Sequence, residues 1–494
     1  MKARLALQAI WAASGQAGQA LVGLVSLLIL VRLLGPDAYG IFALGLLFTG
    51  LAELLCGGHL AELLVKRKTV ERGHENAAFW LSLGVSVLCA VVLVALAQLA
   101  ADLFSTPDLA LVLPAMAALP VLSALAVTPN QLLIRRLQFN SLALADLTSS
   151  LCALAVGLTL ALNGGGIWSL VFMEMARRTV VFFCNMVSAR WLPGFGFARA
   201  EAIEIVRFAA KRLENRALQY GAQQAMPRIV IGGLLGTEAL GIYAVARRLI
   251  DQLNHVLITP IAAVAFPAAA QIQDDRPRLH KLIEASIRIT TWVFWPALLG
   301  AAVVGMVAFP LVLGAEWGAT VVVFQFLVLA ALRAPVSSFN TSILTATGRL
   351  REITWIQGAS LIVGAILSTA GALTFGLAGA VAGLALRQWA VWPVGAAMMK
   401  RATGFPIRRQ LNILALAGAP SIMMVLLLVL LDAAAFSMLD PLSRISALVA
   451  AGLLSYVSAW SFLNPSVSGR VLKAVRLLRS GRTSEAREWL FTGR

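Results

Sequence analysis

The sequence predicts an all-α integral membrane protein: about fourteen transmembrane helices in two pseudo-symmetric bundles around a central cavity, with both termini cytoplasmic. Three observations carry this expectation. Of the 494 residues, 60% are hydrophobic and only 13% charged, and a mean hydropathy of +0.85 exceeds what a soluble core buries. A segment near the start of the chain recurs just past residue 230. Lysine and arginine collect in every second connection between apolar runs, as the positive-inside rule requires.

Apolar runs of about 20 residues or more place the spans near 10–34, 39–64, 77–101, 109–133, 142–162, 167–189, 212–235, 239–268, 287–313, 319–346, 353–374, 377–399, 412–431 and 444–463. The first run is long enough to cross a bilayer, so it reads as a retained helix and not as a cleaved signal. Basic residues follow the even-numbered spans: Lys66, Arg67, Lys68 and Arg72, then Arg135 and Arg136, then Arg190, Arg199, Arg207 and Lys211. The series continues with Arg276, Arg278 and Lys281, with Arg349 and Arg351, and with Lys400, Arg401, Arg408 and Arg409. The opposite connections hold Asp37, Asp102, Asp108, Glu238, Glu316, Asp432 and Asp440, with Arg32 and Arg444 as the main basic exceptions. A wrong count would scramble this alternation. It also explains the net charge of +17 as topology, so no nucleic-acid partner is expected. Cys56, Cys89, Cys152 and Cys184 fall inside apolar runs, where thiols behave as small hydrophobes and no disulfide is expected.

The repeat fixes the internal organisation. Leu33-Leu34-Gly35-Pro36-Asp37-Ala38-Tyr39-Gly40-Ile41-Phe42-Ala43-Leu44 reappears as Leu234-Leu235-Gly236-Thr237-Glu238-Ala239-Leu240-Gly241-Ile242-Tyr243-Ala244-Val245. Gly35, Gly40, Gly236 and Gly241 keep their places as structural signature turns, each joining two spans at the same point of its half. Duplicated halves with a site between them are the organisation of carriers. The chain accordingly divides into a six-helix bundle at 1–189 and an amphipathic linker at 190–211. An eight-helix portion follows at 212–463, made of a second bundle, 212–399, and two added helices within 412–463. A basic tail at 464–494 ends the chain. Ile203, Ile205, Val206 and Phe208 predict a linker helix on the cytoplasmic surface, and residues 467–490 read similarly.

The Leu-Leu-Gly-x-acid-x-x-Gly-x-Tyr/Phe signature, the fourteen spans and the basic linker between six-span and eight-span portions resemble the polysaccharide transporter family. That family belongs to the multidrug/oligosaccharidyl-lipid/polysaccharide exporter superfamily. The resemblance is strongest at 32–44 and 228–248 and weaker at 130–139 and 340–351. It implies a flippase that moves polyprenyl-pyrophosphate-linked oligosaccharide from the cytoplasmic to the periplasmic leaflet of a bacterial inner membrane. It also implies membrane lipids as partners, with a glycan polymerase and chain-length regulator proteins as further candidates. No cofactor or metal is expected, and a monomer suffices because one chain supplies both halves.

A pyrophosphate-linked sugar crosses hydrocarbon only inside a wet, hydrogen-bonding, cationic cavity. Arginine suits it, because the planar guanidinium donates two hydrogen bonds to phosphate oxygens. Arg247 and Arg248, just after the second signature turn, are the first candidates, followed by Arg333, Arg387 and Arg228. A charge at a helix centre costs about 2.5–3.5 kcal/mol on insertion scales, so these side chains should face protein or water. Asp251, one turn beyond the Arg247–Arg248 pair, is an alternative internal partner. Glu174 with Arg177 and Arg178 repeats that spacing and reads as a structural pair. Glu53, His59, Asp251 and His255 are candidates for proton or cation coupling. Pro114, Pro120, Pro129, Pro227, Pro260, Pro267 and Pro335 predict kinks.

Enzyme readings find little support. The chain has no phosphate-binding Gly-Lys-Ser/Thr loop, and His74-Glu75 is not followed by a second histidine at zinc-protease spacing. The outward connections are too short to carry a polymerase site. The nearer rival is a cation-coupled multidrug exporter, whose cavity should be dominated by carboxylates.

Overall fold

The computed structural model describes residues 2–56, 60–67, 69–196, 199–258, 261, 272, 275–346 and 348–465. His59, Pro260, Pro267 and the 467–490 segment lie outside them. Among the described residues every regular element is a helix. Nine helices among the described residues are long and apolar enough to cross a membrane, or ten if the pair Ala315–Ala331 and Ala334–Thr345, bent by 47°, is one span.

Three of the long helices are two spans each. Lys2–Cys56 breaks at Gly35 (φ 69°, ψ 168°) and Met226–Leu257 breaks at Gly236 (φ 86°, ψ −179°). Leu350–Thr403 breaks at Phe375 and Gly376. The three glycines adopt positive φ, which costs glycine nothing and an L side chain a steric clash. The duplicated motif has therefore placed the same backbone break at the same point of each half. Ile167–Ala189 has spanning length but carries Glu174, Arg177 and Arg178. Among the described residues, dividing the three broken helices and including Ile167–Ala189 with the bent pair gives fourteen helical segments, consistent with the expected number of spans.

Several boundaries move. The ninth span begins at Arg276, where the Asp275 carboxylate caps the helix by accepting from Arg278 N at 3.1 Å, so Arg276, Arg278 and Lys281 are helical. The linker helix runs Arg199–Tyr220, beyond the predicted 211, and passes through a π-turn, Gly221–Ala225, straight into the seventh span. Amphipathic and apolar periods thus meet without a break. The prolines do less than expected. Pro129 sits inside the helix Ala118–Arg135, and Pro227 stands in the first turn of Met226–Leu257. Pro114 and Pro120 flank the break at Ala117, and Pro335 follows the bend in the tenth span.

The predicted basic connections meet at one end of the molecule. An Arg135 Nη donates to the carbonyls of Leu64 and Arg67 at 2.6 Å each, and one from Arg136 to Ala189 at 2.6 Å. In the second half, Arg409 reaches Glu284 at 2.7 Å. Acidic connections meet at the other end: Thr237 donates to Asp37, Tyr39 stacks edge-on against Trp317, and Arg444 grips Asp432 at 2.6 and 2.7 Å. Between the ends one apolar core runs through both halves, from Leu27, Leu30, Leu44 and Leu47 to Ile231, Leu240, Val245 and Phe294. The last two helices attach to the side of the ninth span through Val303, Met424, Leu428 and Leu448.

Candidate functional site

A cavity of about 730 Å³ lies between the halves. The first two spans, the fifth and the sixth form one wall; the π-turn with the seventh and eighth spans forms the other. The duplication explains its shape and its asymmetry. Leu27, Phe42, Ala43 and Leu46 line it, and so do their repeat partners Arg228, Tyr243, Ala244 and Arg247. The same helix faces point inward in both halves. The first half offers Leu27, Phe42 and Leu46 where the second offers Arg228, Tyr243 and Arg247.

The lining holds Arg177, Arg228, Arg247 and Arg248 against Glu174 and Asp251, so its charge balance favours an anion. Arg247 Nε donates to both Asp251 oxygens, at 3.0 and 3.1 Å. Both partners are part-exposed to the cavity, so the pair is hydrated. Among the described residues, Arg228 and Arg248 form no ion pair with a carboxylate. Gln19, Gln223, Gln224, Gln252 and Asn254 add amide donors and acceptors, the kind that hydroxylated ligands use.

Three of the five arginines read as substrate groups therefore line one cavity, together with Asp251 and His255. The other two lie behind its wall. Arg333 donates to the Gln388 side chain, and Arg387, 2% exposed, donates to the Ala222 carbonyl in the π-turn. Sequence position near mid-span gave their depth but not their direction. Arg387 braces the seventh span against the twelfth, so Arg387→Ala should cost on the order of 2–5 kcal/mol, as a large-to-small change in a packed interior does. Thermal unfolding of the purified protein checks this; an unchanged midpoint would remove the bracing role.

Glu53 also lies outside the cavity lining. It binds Arg178, and Ser123 donates to it at 3.3 Å. Arg178 Nε bonds Glu174 at 2.9 Å, and Arg177 Nε bonds the same carboxylate at 2.9 Å. The Glu174 group is thus paired, as its spacing implied, yet Glu174 and Arg177 also face the cavity. Sequence reasoning missed that second role, and it missed the amides. Their signal was legible as glutamines and an asparagine inside apolar runs.

The signature glycines close the acidic end of the cavity. A Cβ on Gly40 would overlap the Thr237 carbonyl, and one on Gly241 would overlap the Pro36 carbonyl. The two turns are in mutual backbone contact, which only glycine permits. At the other end the lining reaches His255 and Val256, both exposed.

Two duplicated helical bundles enclosing a polar cavity shut at one end define a multi-pass membrane carrier. The chain belongs to the polysaccharide biosynthesis protein family, whose model matches residues 29–322. It is 26% identical over 370 residues to the succinoglycan biosynthesis transport protein ExoT of Rhizobium meliloti (strain 1021), covering 74% of this chain and 73% of that one. It is 26% identical over 338 residues to the lipopolysaccharide biosynthesis protein WzxC of Escherichia coli (strain K12), covering 67% of each. Among solved structures, the fold is similar to the lipid II flippase MurJ in an inward closed conformation. That match has a TM-score of 0.77 at 14% identity and covers 93% of this chain and 99% of the other. An inward-facing multidrug resistance MATE family transporter matches with a TM-score of 0.60 at 15% identity, covering 80% and 98%. At these identities the structural likeness establishes the fold.

Proposed function

We propose that this protein is a flippase for polyprenyl-pyrophosphate-linked oligosaccharide repeat units, carrying them from the cytoplasmic to the periplasmic leaflet of a bacterial inner membrane. The observation that carries the reading is the cavity between the halves, with four arginines against two carboxylates and a belt of amides. Guanidinium groups match pyrophosphate oxygens, and amides match sugar hydroxyls. The names of the succinoglycan and lipopolysaccharide relatives support the substrate class. A carrier selecting cationic drugs would need the opposite charge balance.

In this reading the basic end is cytoplasmic, and the cavity, shut at the signature turns, loads from that side. Arg247, Arg248 and Arg228 receive the pyrophosphate, displacing Arg247 from Asp251. Asp251 and His255 then become the groups able to exchange a proton or cation during the cycle. The moving parts are the bundles at 1–189 and 212–399, with 190–211 joining them, 412–463 an added pair and 464–494 a cytoplasmic tail. One chain forms the complete path, so a monomer is sufficient. Glycan polymerase and chain-length regulator proteins are the macromolecular partners that such a cargo implies.

Depleting the protein from its host and assaying lipid-linked repeat units leaflet by leaflet tests the reading. Complete units should accumulate on the cytoplasmic face. Normal arrival at the periplasmic face would refute it.

A further inference from the structure

The first turns of the third span, Arg72-Gly73-His74-Glu75-Asn76, hold the chain that joins the two halves. Gly194 N donates to Asn76 Oδ1 at 2.9 Å, while Asn76 Nδ2 donates to the Gly196 carbonyl at 2.9 Å. Trp80 Nε1 donates to the Gly194 carbonyl at 2.9 Å, and Trp191 Nε1 to Glu75 at 2.7 Å. Gly73 leaves room for the Glu201 carboxylate of the linker helix, which a Cβ there would overlap.

Within this junction His74 is only 4% exposed, and its Nδ1 has no hydrogen-bond partner. An unpaired ring nitrogen in so buried a position is costly. It lies 3.9 Å from Glu201 Oε1, too far for a hydrogen bond. Glu71 completes the group: donor atoms of Glu71, His74 and Glu201 all lie within 4.8 Å of one another. Donors about 2.1 Å from a tetrahedral ion sit roughly 3.4 Å apart, so small side-chain movements close the set. On the far side of the ring, Glu204 Oε2 is 3.8 Å from Nε2, and Arg67 contacts both Glu204 and Nε2.

We propose that Glu71, His74 and Glu201 bind a divalent transition-metal ion, Zn²⁺ in preference to Mn²⁺ or Mg²⁺, which fastens the linker helix to the first bundle. One imidazole and two carboxylates suit Zn²⁺, and Mn²⁺ binds the same set more weakly. Metal binding through Nδ1 requires the proton on Nε2, so Arg67 must withdraw from Nε2 and leave that proton to turn towards Glu204, 3.8 Å away. With Arg67 withdrawn, closure of that gap would give a carboxylate–histidine–metal arrangement. In the other tautomer Nε2 accepts from Arg67 and Nδ1–H faces Glu201, giving an ion-pair clasp with no metal. The two arrangements make opposite predictions. The ion would tie together segments from either side of the inter-bundle joint, so its occupancy would set how freely the halves move.

The test uses the full-length protein, stripped with a chelator and dialysed against ZnCl₂, with MgCl₂ as control. One saturable Zn²⁺ per chain is expected. His74→Ala and Glu201→Gln should each weaken it at least 100-fold, and Glu71→Gln, at an exposed position, at least tenfold. Glu204→Gln should weaken it about 10- to 100-fold through the imidazole. Zn²⁺ should also slow protease cleavage within 190–211 in the parent but not in His74→Ala. Neither readout requires transport, so failure here is distinct from failure of the flippase reading. No saturable binding, or binding that all three ligand variants retain, overturns the site. Cleavage indifferent to Zn²⁺ but accelerated by Arg67→Met identifies the ion-pair clasp instead.

Discussion

Replacing Arg247 and Arg248 together by alanine should lower translocation of lipid-linked repeat units at least tenfold while leaving membrane abundance near that of the parent. Hydrogen bonds to charged groups contribute about 1.5–3 kcal/mol each, so even one lost guanidinium–phosphate contact predicts a tenfold effect or more. The protein should tolerate the change, because both side chains line the hydrated cavity and not the packed core. Asp251 loses its partner in the double variant, but it too is open to cavity water, so its charge is not stranded. Lysine at both positions restores charge without the planar fork, and activity should return only in part. Leaflet-resolved assays beside immunoblots of the membrane fraction supply both readouts. Parental translocation by the alanine double variant would sink the assignment of this pair to the pyrophosphate.

Gly241→Val should be the most damaging single substitution at the acidic end. The added side chain meets the Pro36 carbonyl and Gly40 N, and both are backbone atoms that cannot rotate away. Overpacking of this kind typically costs 1–3 kcal/mol, here charged wholly to the state in which the two turns touch. The closed end should therefore open, and a cycle that needs it closed should stall. Cysteines at Asp37 and Thr237, hydrogen-bonded neighbours across the turns, report closure as a disulfide. Crosslinking should fall about tenfold or more in Gly241→Val and Gly40→Val. It should stay at the parental level in Gly358→Ala, where a Cβ meets nothing within 4 Å. Equal crosslinking in all of them would mean that the glycines do not gate the cavity.

Much of the fold was legible in the chain because a bilayer imposes simple rules. Backbone groups in hydrocarbon must bond within their own helix, so long apolar runs have one outcome. Ile167–Ala189 is an instance: three charged residues would disqualify it on composition, yet the alternation of basic connections required a span there. The linker helix shows the limit of such rules. Its start and end depend on whether an amphipathic stretch runs into the next apolar one, and neither period marks that join.

The site was legible in part for a similar reason. Arg228, Arg247, Arg248, Asp251 and His255 flank the duplicated motif, and the duplication itself implied that these faces meet. Depth along a span can be counted from sequence; azimuth around it cannot, since that depends on which neighbour packs against each face. Arg387 and Arg333 are as deep as the cavity arginines yet point into protein, and Glu53 is held by Arg178 and Ser123 outside the cavity lining.

The sequence by itself determined the class, the spans, the two halves and the chemical kind of residue held at depth. Only the tertiary structure decided which of those residues share a cavity, that Gly40 and Gly241 bring two backbones into contact, and that His74 faces the linker carboxylates. The physical reason is range. Burial in lipid and helix formation are local to a segment of about twenty residues, whereas a cavity wall is made by residues roughly two hundred positions apart whose meeting only packing can specify.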